Sequence, residues 1–313
     1  MEYLLIPSAI VLGAAVLVLL GAFATFMIIF FSPRKKYRDE YPTPDGAIYD
    51  PYREQMIEWI KEARALPHTK VHVTSHDGLR LSGKYFEYEK GAPIEILFHG
   101  YKGTAERDLC GGVNRCFRLG HSALIVDQRG GGESEGRVIT FGAKERLDCL
   151  AWIDYVIGNI DPDARIILTG ISMGASTVLM ATSLELPENV IGVLADCGYS
   201  STKGVIKKVM RDMKLPAGLL YPIVRLGARL FGGFDPNTPS PLESMSVCRL
   251  PVIFFHGDTD DYVPHRMSEE NFAACLSERK RLVTVHGAGH GLAFPVDMEL
   301  YLKEAGDFFH PKT

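Results

Sequence analysis

The sequence predicts an α/β protein: a mostly parallel eight-stranded sheet covered by helices on both faces, with a transmembrane helix ahead of it. Three observations predict this. Beyond residue 90, short and nearly continuous apolar runs alternate with helix-like stretches, the pattern of strands buried on both sides. Two strand-like segments joined by a hairpin signal come before them. Leu4 to Phe31 is almost wholly apolar and carries no charge, whereas a membrane-spanning helix needs only about 20 such residues.

The N-terminal segment has two competing readings. A cleaved signal peptide would have a basic start and a shorter apolar run, but residue 2 is Glu2 and apolar chain continues past Ala22 and Ala24. A buried core helix is not expected to be apolar on every face over this length. Arg34, Lys35, Lys36 and Arg38 follow the run directly. By the positive-inside rule they place the following chain in the cytoplasm, with an extracytoplasmic domain as the alternative. Residues 32–69 form a connecting segment. It opens as a polar linker containing Pro33, Pro42 and Pro44, and continues into an amphipathic helix. Asp50-Pro51 supplies the start of that helix, Tyr49, Tyr52, Met56, Ile60 and Ala63 its apolar spacing, and Pro67 its end. The helix is expected to pack on the main domain and hold it near the bilayer.

Residues 70–313 form the main domain. Val71–Thr74 and Leu81–Tyr88 read as strands joined at His76-Asp77-Gly78. The later strands are expected at Ile94–Phe98, Ala123–Val126, Arg165–Thr169, Val190–Ala195, Pro251–Phe255 and Arg281–Val285. Helices are expected near 105–118, 143–158, 174–184, 268–277 and 297–309. The alternation breaks once, between Gly198 and Leu250. An insertion of this length with helical pieces is expected to be a functional cap, at about 199–249.

Composition excludes some functions. A net charge of −4 gives no sign of a nucleic-acid surface, because phosphate binding needs a clustered basic excess. The six cysteines form no Cys-x-x-Cys or Cys/His cluster with metal-ligand spacing, so no zinc site is expected. They are read as reduced thiols, which agrees with the cytoplasmic side.

The chemistry is concentrated at strand ends. Gly170-Ile171-Ser172-Met173-Gly174 lies between an expected strand and a helix of small residues. That is the context of a nucleophile elbow, where flanking glycines leave room for neighbouring backbone around a strained serine. Phe98-His99-Gly100-Tyr101 ends the third strand, where an oxyanion hole should begin. Its two N–H donors are expected from Tyr101 and Met173, and His99 is expected to shape the loop. Gly287-Ala288-Gly289-His290-Gly291 carries His290 as the base, and His286 is read as structural, within the last strand. Asp260, in His256-Gly257-Asp258-Thr259-Asp260-Asp261-Tyr262-Val263-Pro264, is the favoured acid. Asp258 and Asp261 are its neighbours and rivals, and Asp196, after the preceding strand, is a further rival. The remaining histidines are read as surface or packing residues.

These motifs, with Asp127-Gln128-Arg129-Gly130-Gly131-Gly132-Glu133-Ser134 after the fourth strand, make residues 70–310 similar to the α/β-hydrolase superfamily. The resemblance is to its monoglyceride-lipase and serine-aminopeptidase-like branch, and the anchor and following helix resemble membrane-tethered bacterial members. One departure is Gly131, where the branch often has histidine. The resemblance implies a serine hydrolase with Ser172, Asp260 and His290 as catalytic residues, no metal and no organic cofactor. Between Ser200 and Phe231 the cap carries Lys203, Lys207, Lys208, Arg211, Lys214, Arg225 and Arg229 against the single acid Asp212, beside Leu215, Leu219, Leu220, Tyr221, Ile223, Val224 and Leu226. This surface would suit an anionic membrane or an anionic amphiphile, and equally a solvated charged face over a packed cap. An aminopeptidase would want acids there, so acyl esters or thioesters, including lipid-like ones near the membrane, are the expected substrates. A peptidase or amidase with the same residues is the alternative, and a non-catalytic ligand-binding protein of this fold is a third reading.

Overall fold

The computed structural model describes residues 2–33 and 39–310. The basic cluster Arg34, Lys35, Lys36 and Arg38 lies outside the described residues. The strands are β1 Thr69–Thr74, β2 Arg80–Phe86, β3 Ile94–Phe98, β4 Ser122–Asp127, β5 Ile166–Ile171, β6 Val190–Asp196, β7 Val252–Gly257 and β8 Lys280–Val285. They form one sheet in the order β1-β2-β4-β3-β5-β6-β7-β8. β2 pairs antiparallel with both β1 and β4, and the other pairings are parallel, so β2 is the single reversed strand. β3 and β7 are buried at every position, as expected of strands covered on both faces.

The α-helices are α1 Glu2–Ile29, α2 Arg53–Ala65, α3 Ala105–Asp108, α4 Gly112–Arg118, α5 Glu145–Tyr155 and α6 Met173–Ala181. After these come α7 Thr202–Asp212, α8 Ala217–Gly227, α9 Pro241–Met245, α10 Arg266–Ala274, α11 Ala293–Val296 and α12 Met298–Phe309. The single helix expected near 105–118 is broken into α3 and α4. At the break, a side chain on Gly111 would meet the Trp59 ring of α2 at 2.9 Å, so the chain turns where α2 packs closely. The turn before α2, Ala47–Tyr52, is a 3₁₀ helix rather than the first turn of α2. One face of the sheet buries Trp152, Ile153 and Val178 from α5 and α6. The other buries Met56, Trp59 and Ile60 of α2 with Phe294, Tyr301 and Phe308 of α11 and α12.

α1 contains a 20-residue stretch, Ile10–Ile29, long and apolar enough to span a membrane. Only 11% of its most apolar window is buried, so α1 is not a core helix of the domain. Its last turns dock on the helical insertion between β6 and β7. Ala22, Phe26 and Phe30 are buried there with Tyr221, Val224 and Ala228. A side chain on Gly227 would stand 2.2 Å from the Ala22 carbonyl oxygen, so only glycine permits this approach. The insertion therefore spends its apolar stripe on α1.

An ionic network sits inside the sheet's cover. The buried Glu95 on β3 accepts from Arg115 Nη2 at 2.5 Å and Thr169 Oγ1 at 2.7 Å, with His121 Nδ1 at 2.8 Å. Burial opposes ionisation of Glu95, but Arg115 and His121 outweigh it and hold its pKa at about 2. Arg115→Met would strand that carboxylate. It is expected to destabilise the fold by about 3–5 kcal/mol, measured as a shift in chemical denaturation midpoint at unchanged slope.

Candidate active site

Ser172 stands at the reversal between β5 and α6 with φ 56° and ψ −116°. The flanking glycines explain how the chain gets there. A Cβ on Gly170 would lie 2.2 Å from the Gly174 carbonyl group, and one on Gly174 would lie 2.0 Å from the Phe98 oxygen. The Ser172 N–H donates to the Asp196 carbonyl at 2.8 Å, which ties the reversal to the end of β6.

The structure brings three of the expected residues into one hydrogen-bonded line. Ser172 Oγ is 2.8 Å from His290 Nε2, and His290 Nδ1 is 2.7 Å from Asp260 Oδ2. The carboxylate partner requires the hydrogen on Nδ1, which leaves Nε2 to accept from the serine hydroxyl. Asp260 is buried and well supported. Its Oδ1 accepts from the N–H groups of Tyr262 and Val263 at 2.9 and 2.8 Å, and His256 Nε2 lies 3.2 Å from Oδ2. Burial raises the cost of its charge, but the hydrogen bonds from His256 and His290 prevail and hold the carboxyl well below the usual carboxylate range.

The rival acids stand elsewhere. Asp258 is exposed and binds the Gly287 N–H at 2.7 Å and His286 Nδ1 at 2.8 Å, so it ties two loops together. Asp261 is exposed. Asp196 is buried and accepts from the Tyr301 hydroxyl at 3.0 Å, while its Oδ1 has no partner among the described residues. Burial raises its pKa to about 6.

Two histidine expectations need correction. His286 lies one residue beyond β8 with its side chain exposed, not within the strand. His256 is more than packing. It is fully buried and engages Ser268 Oγ at 2.7 Å and the Val263 carbonyl at 2.8 Å, bracing the acid loop. His99 does shape its loop: Nδ1 donates to the Gly100 carbonyl at 2.7 Å, and Nε2 accepts from the Gln128 N–H at 2.9 Å.

Tyr101 and Met173 flank the serine from two sides. Met173 opens α6, so its N–H belongs to the first turn, which has no intrahelical acceptor. The Tyr101 N–H has no acceptor among the described residues, and a Cβ on its neighbour Gly100 would stand 3.6 Å from Ser172 Cβ. Asp108 pins this loop by accepting from the Gly100 N–H at 3.1 Å.

Ser172 and His290 face a cavity of about 480 Å³ with walls that include Ile48, Leu97, Leu109, Ile171 and Phe294. Part of one wall is the segment 44–49, which the sequence reads as linker and helix start. Its Tyr49 hydroxyl donates to the His290 carbonyl at 3.0 Å. No residue of 199–249 lines the cavity among the described residues, so the insertion expected to be a cap supplies none of the cavity wall. Cys197, Asp260 and His290 bring potential metal-ligand atoms within 4.8 Å of one another. Both His290 nitrogens are already engaged there, and burial pushes the Cys197 thiol far up, so it stays protonated and a poor ligand.

No family model matches the chain. It is 27% identical over 195 residues to the uncharacterized protein YqkD of Bacillus subtilis, which covers 61% of this chain and 62% of that protein. That match spans less than two thirds of YqkD. It is 29% identical over 225 residues to the uncharacterized protein Rv2307c of Mycobacterium tuberculosis, 70% of this chain and 71% of that one. Among solved structures, the Pyrococcus furiosus esterase Pf2001 superposes with a TM-score of 0.65 at 23% identity, covering 88% of this chain and 98% of its own. Est1E of Butyrivibrio proteoclasticus, solved with ferulic acid bound, gives 0.57 at 19% identity over 76% and 98%. The chain has the α/β-hydrolase fold. Within that fold, sequence reasoning overlooked Asp108, His256 and Tyr49. Tyr49 reaches His290 from a distant part of the chain, whereas Asp108 and His256 act over short stretches, through side-chain directions that residue type and spacing do not reveal.

Asp196 gives a pH-dependent test. Its folded carboxyl takes a proton near pH 6 and its unfolded one near the ordinary 3.8, so the folded state binds more protons between them. The stabilisation present at low pH is therefore lost as pH rises through about 6. Asp196→Asn keeps an acceptor for Tyr301 and removes the titration. It is expected to raise stability by about 2–3 kcal/mol at pH 8 and to be near neutral at pH 4, read by thermal unfolding across that range.

Proposed function

We propose that this protein is a serine hydrolase that cleaves acyl esters or thioesters through an acyl-enzyme on Ser172. The observation that carries the proposal is the unbroken line from Ser172 through His290 to the ionised Asp260, opening on an apolar cavity. A serine hydroxyl is a weak nucleophile at neutral pH, and a histidine held in one tautomer by a carboxylate makes it competent. In the proposed cycle Ser172 Oγ attacks the acyl carbonyl carbon while His290 Nε2 takes the hydroxyl proton. The N–H groups of Tyr101 and Met173 receive the charge that develops on the carbonyl oxygen. Collapse of the intermediate breaks the ester bond, and the imidazolium returns its proton to the leaving alcohol or thiol. Water, deprotonated by His290, then releases the carboxylic acid and restores the serine. These steps need no metal or organic cofactor.

The walls formed by Ile48, Leu97, Leu109, Ile171 and Phe294 suit an acyl chain, which favours ester substrates and fits the lipase-like branch of the superfamily, while Asp45, Asp108 and Asp196 also line the cavity. We place the protein at the cell membrane, with α1 as a single-pass anchor and the hydrolase domain on the cytoplasmic side. The long exposed apolar helix, the basic residues Arg34, Lys35, Lys36 and Arg38, and six free, buried cysteines support that placement.

Hydrolysis of p-nitrophenyl esters of rising chain length, set against aminoacyl anilides, tests the reaction class. Esters should turn over and anilides should not; the reverse preference would overturn the ester reading. In the same assay Asp260→Asn should lower kcat by about 10⁴-fold, while Asp258→Asn, Asp261→Asn and Asp196→Asn retain most of it.

A further inference from the structure

We propose that the C-terminal turn of the membrane helix is a positioning element of the active site, holding the loop 99–103 so that the Tyr101 N–H meets the substrate oxygen. The inference rests on the serine-hydrolase reading above.

A helix leaves the carbonyls of its last turn without intrahelical partners, and an apolar helix ending in low-dielectric surroundings has strong need of donors there. In α1 the hydrolase domain supplies them, and two come from the loop beside the serine. The Tyr101 hydroxyl donates to the Ile29 carbonyl at 2.5 Å, and Lys102 Nζ donates to the Ile28 carbonyl at 2.8 Å. The Phe30 carbonyl accepts from the Ile139 N–H at 2.8 Å, which fastens the chain just beyond. Lys102 also brings a positive charge to the negative end of the helix dipole. It does so with φ 51°, a left-handed conformation that costs a non-glycine residue energy and marks a loop held by its surroundings.

Apolar contacts reinforce the hydrogen bonds. The Tyr101 ring lies 5.0 Å from that of Phe141, which is 5.7 Å from Phe30 of the α1 end. Burial and the nearby Tyr262 push the Tyr101 phenol well above its ordinary range, so it remains a donor. On the far side α1 is held by the insertion, through Gly227 against Ala22, Phe231 against Phe23 and Phe234 against Phe30.

The two proposed oxyanion donors thus have unequal support. Met173 is carried by a buried helix, whereas Tyr101 sits on a loop whose outer anchor is the membrane helix. A donor displaced by a fraction of an ångström stabilises the developing charge poorly while leaving ground-state binding nearly intact. Tyr101 is therefore a positioning residue through its side chain, and the insertion acts on catalysis by docking α1, without touching the cavity.

The test uses the full-length protein in detergent micelles with p-nitrophenyl butyrate. Tyr101→Phe should lower kcat by about tenfold or more with KM within about twofold. Lys102→Met should lower kcat in the same way and Lys102→Arg should restore it. Gly227→Ala, whose methyl group collides with the α1 backbone, should lower kcat too, and Tyr101→Phe added to it should cost little more. Wild-type kcat in Tyr101→Phe, or fully additive losses in the double variant, would overturn the coupling. Ser172→Ala in parallel separates the two claims. If it keeps full activity, the hydrolase reading falls and this inference with it. If it is inactive while Tyr101→Phe is unimpaired, the positioning claim alone falls.

Discussion

Between β5 and α6 the chain reverses in a space so tight that a methyl group on Gly174 would sit 2.0 Å from the Phe98 carbonyl oxygen. That crowding is what lifts Ser172 into its left-handed conformation at the rim of the sheet. It also brings the ends of β3, β5 and β6 to one point, because Gly174 abuts Phe98 on β3 and the Ser172 N–H is bonded to Asp196 on β6. The loops that follow β7 and β8 then have a fixed target. Asp260 reaches it through two backbone donors and His256, and His290 through a glycine-rich loop tied down by Tyr49. The strain at one residue is over-determined by its surroundings, which is the condition for such a conformation to persist.

Around this point the molecule divides its labour between two faces. The cavity opens toward α2, α4 and the segment before them, and its polar floor includes Arg115, Asp196 and Tyr301. The insertion lies on the other side, where Met173, Tyr101 and Phe141 share one apolar cluster with Phe26 and Phe30 of α1. The end of α1 is therefore packed into the same cluster as the residues flanking the serine, rather than joined to the domain by a loose tether.

Much of this was legible in the sequence, for a physical reason. Strands buried on both faces must be largely apolar, so β3 to β7 announce themselves, and a backbone reversal without room for Cβ atoms must be spelled with glycine, so the Ser172 elbow does too. His290 was legible because a glycine-rich loop at the end of a strand is short and its position is known. Asp260 could be preferred over Asp258 and Asp261 only as a choice, since three acids within four residues differ in direction rather than in pattern; the structure puts Asp260 2.7 Å from the imidazole. Tyr49 was hidden because its contact joins distant parts of the chain, and Asp108 and His256 because side-chain direction rather than spacing aims them at Gly100 and Asp260. The insertion shows the same limit. Its apolar stripe of Tyr221, Val224 and Ala228 could face a pocket or a helix with equal sense, and nothing in the periodicity named α1 as the partner.

The central claim is that Ser172 is the reactive group of this site, and covalent labelling tests it most directly. The folded full-length protein would be treated with a fluorophosphonate and the adduct located by peptide mass spectrometry. A single adduct is expected on Ser172, and it should disappear in His290→Ala. An unlabelled Ser172 in folded protein, or an adduct that survives loss of His290 at the same rate, would contradict it.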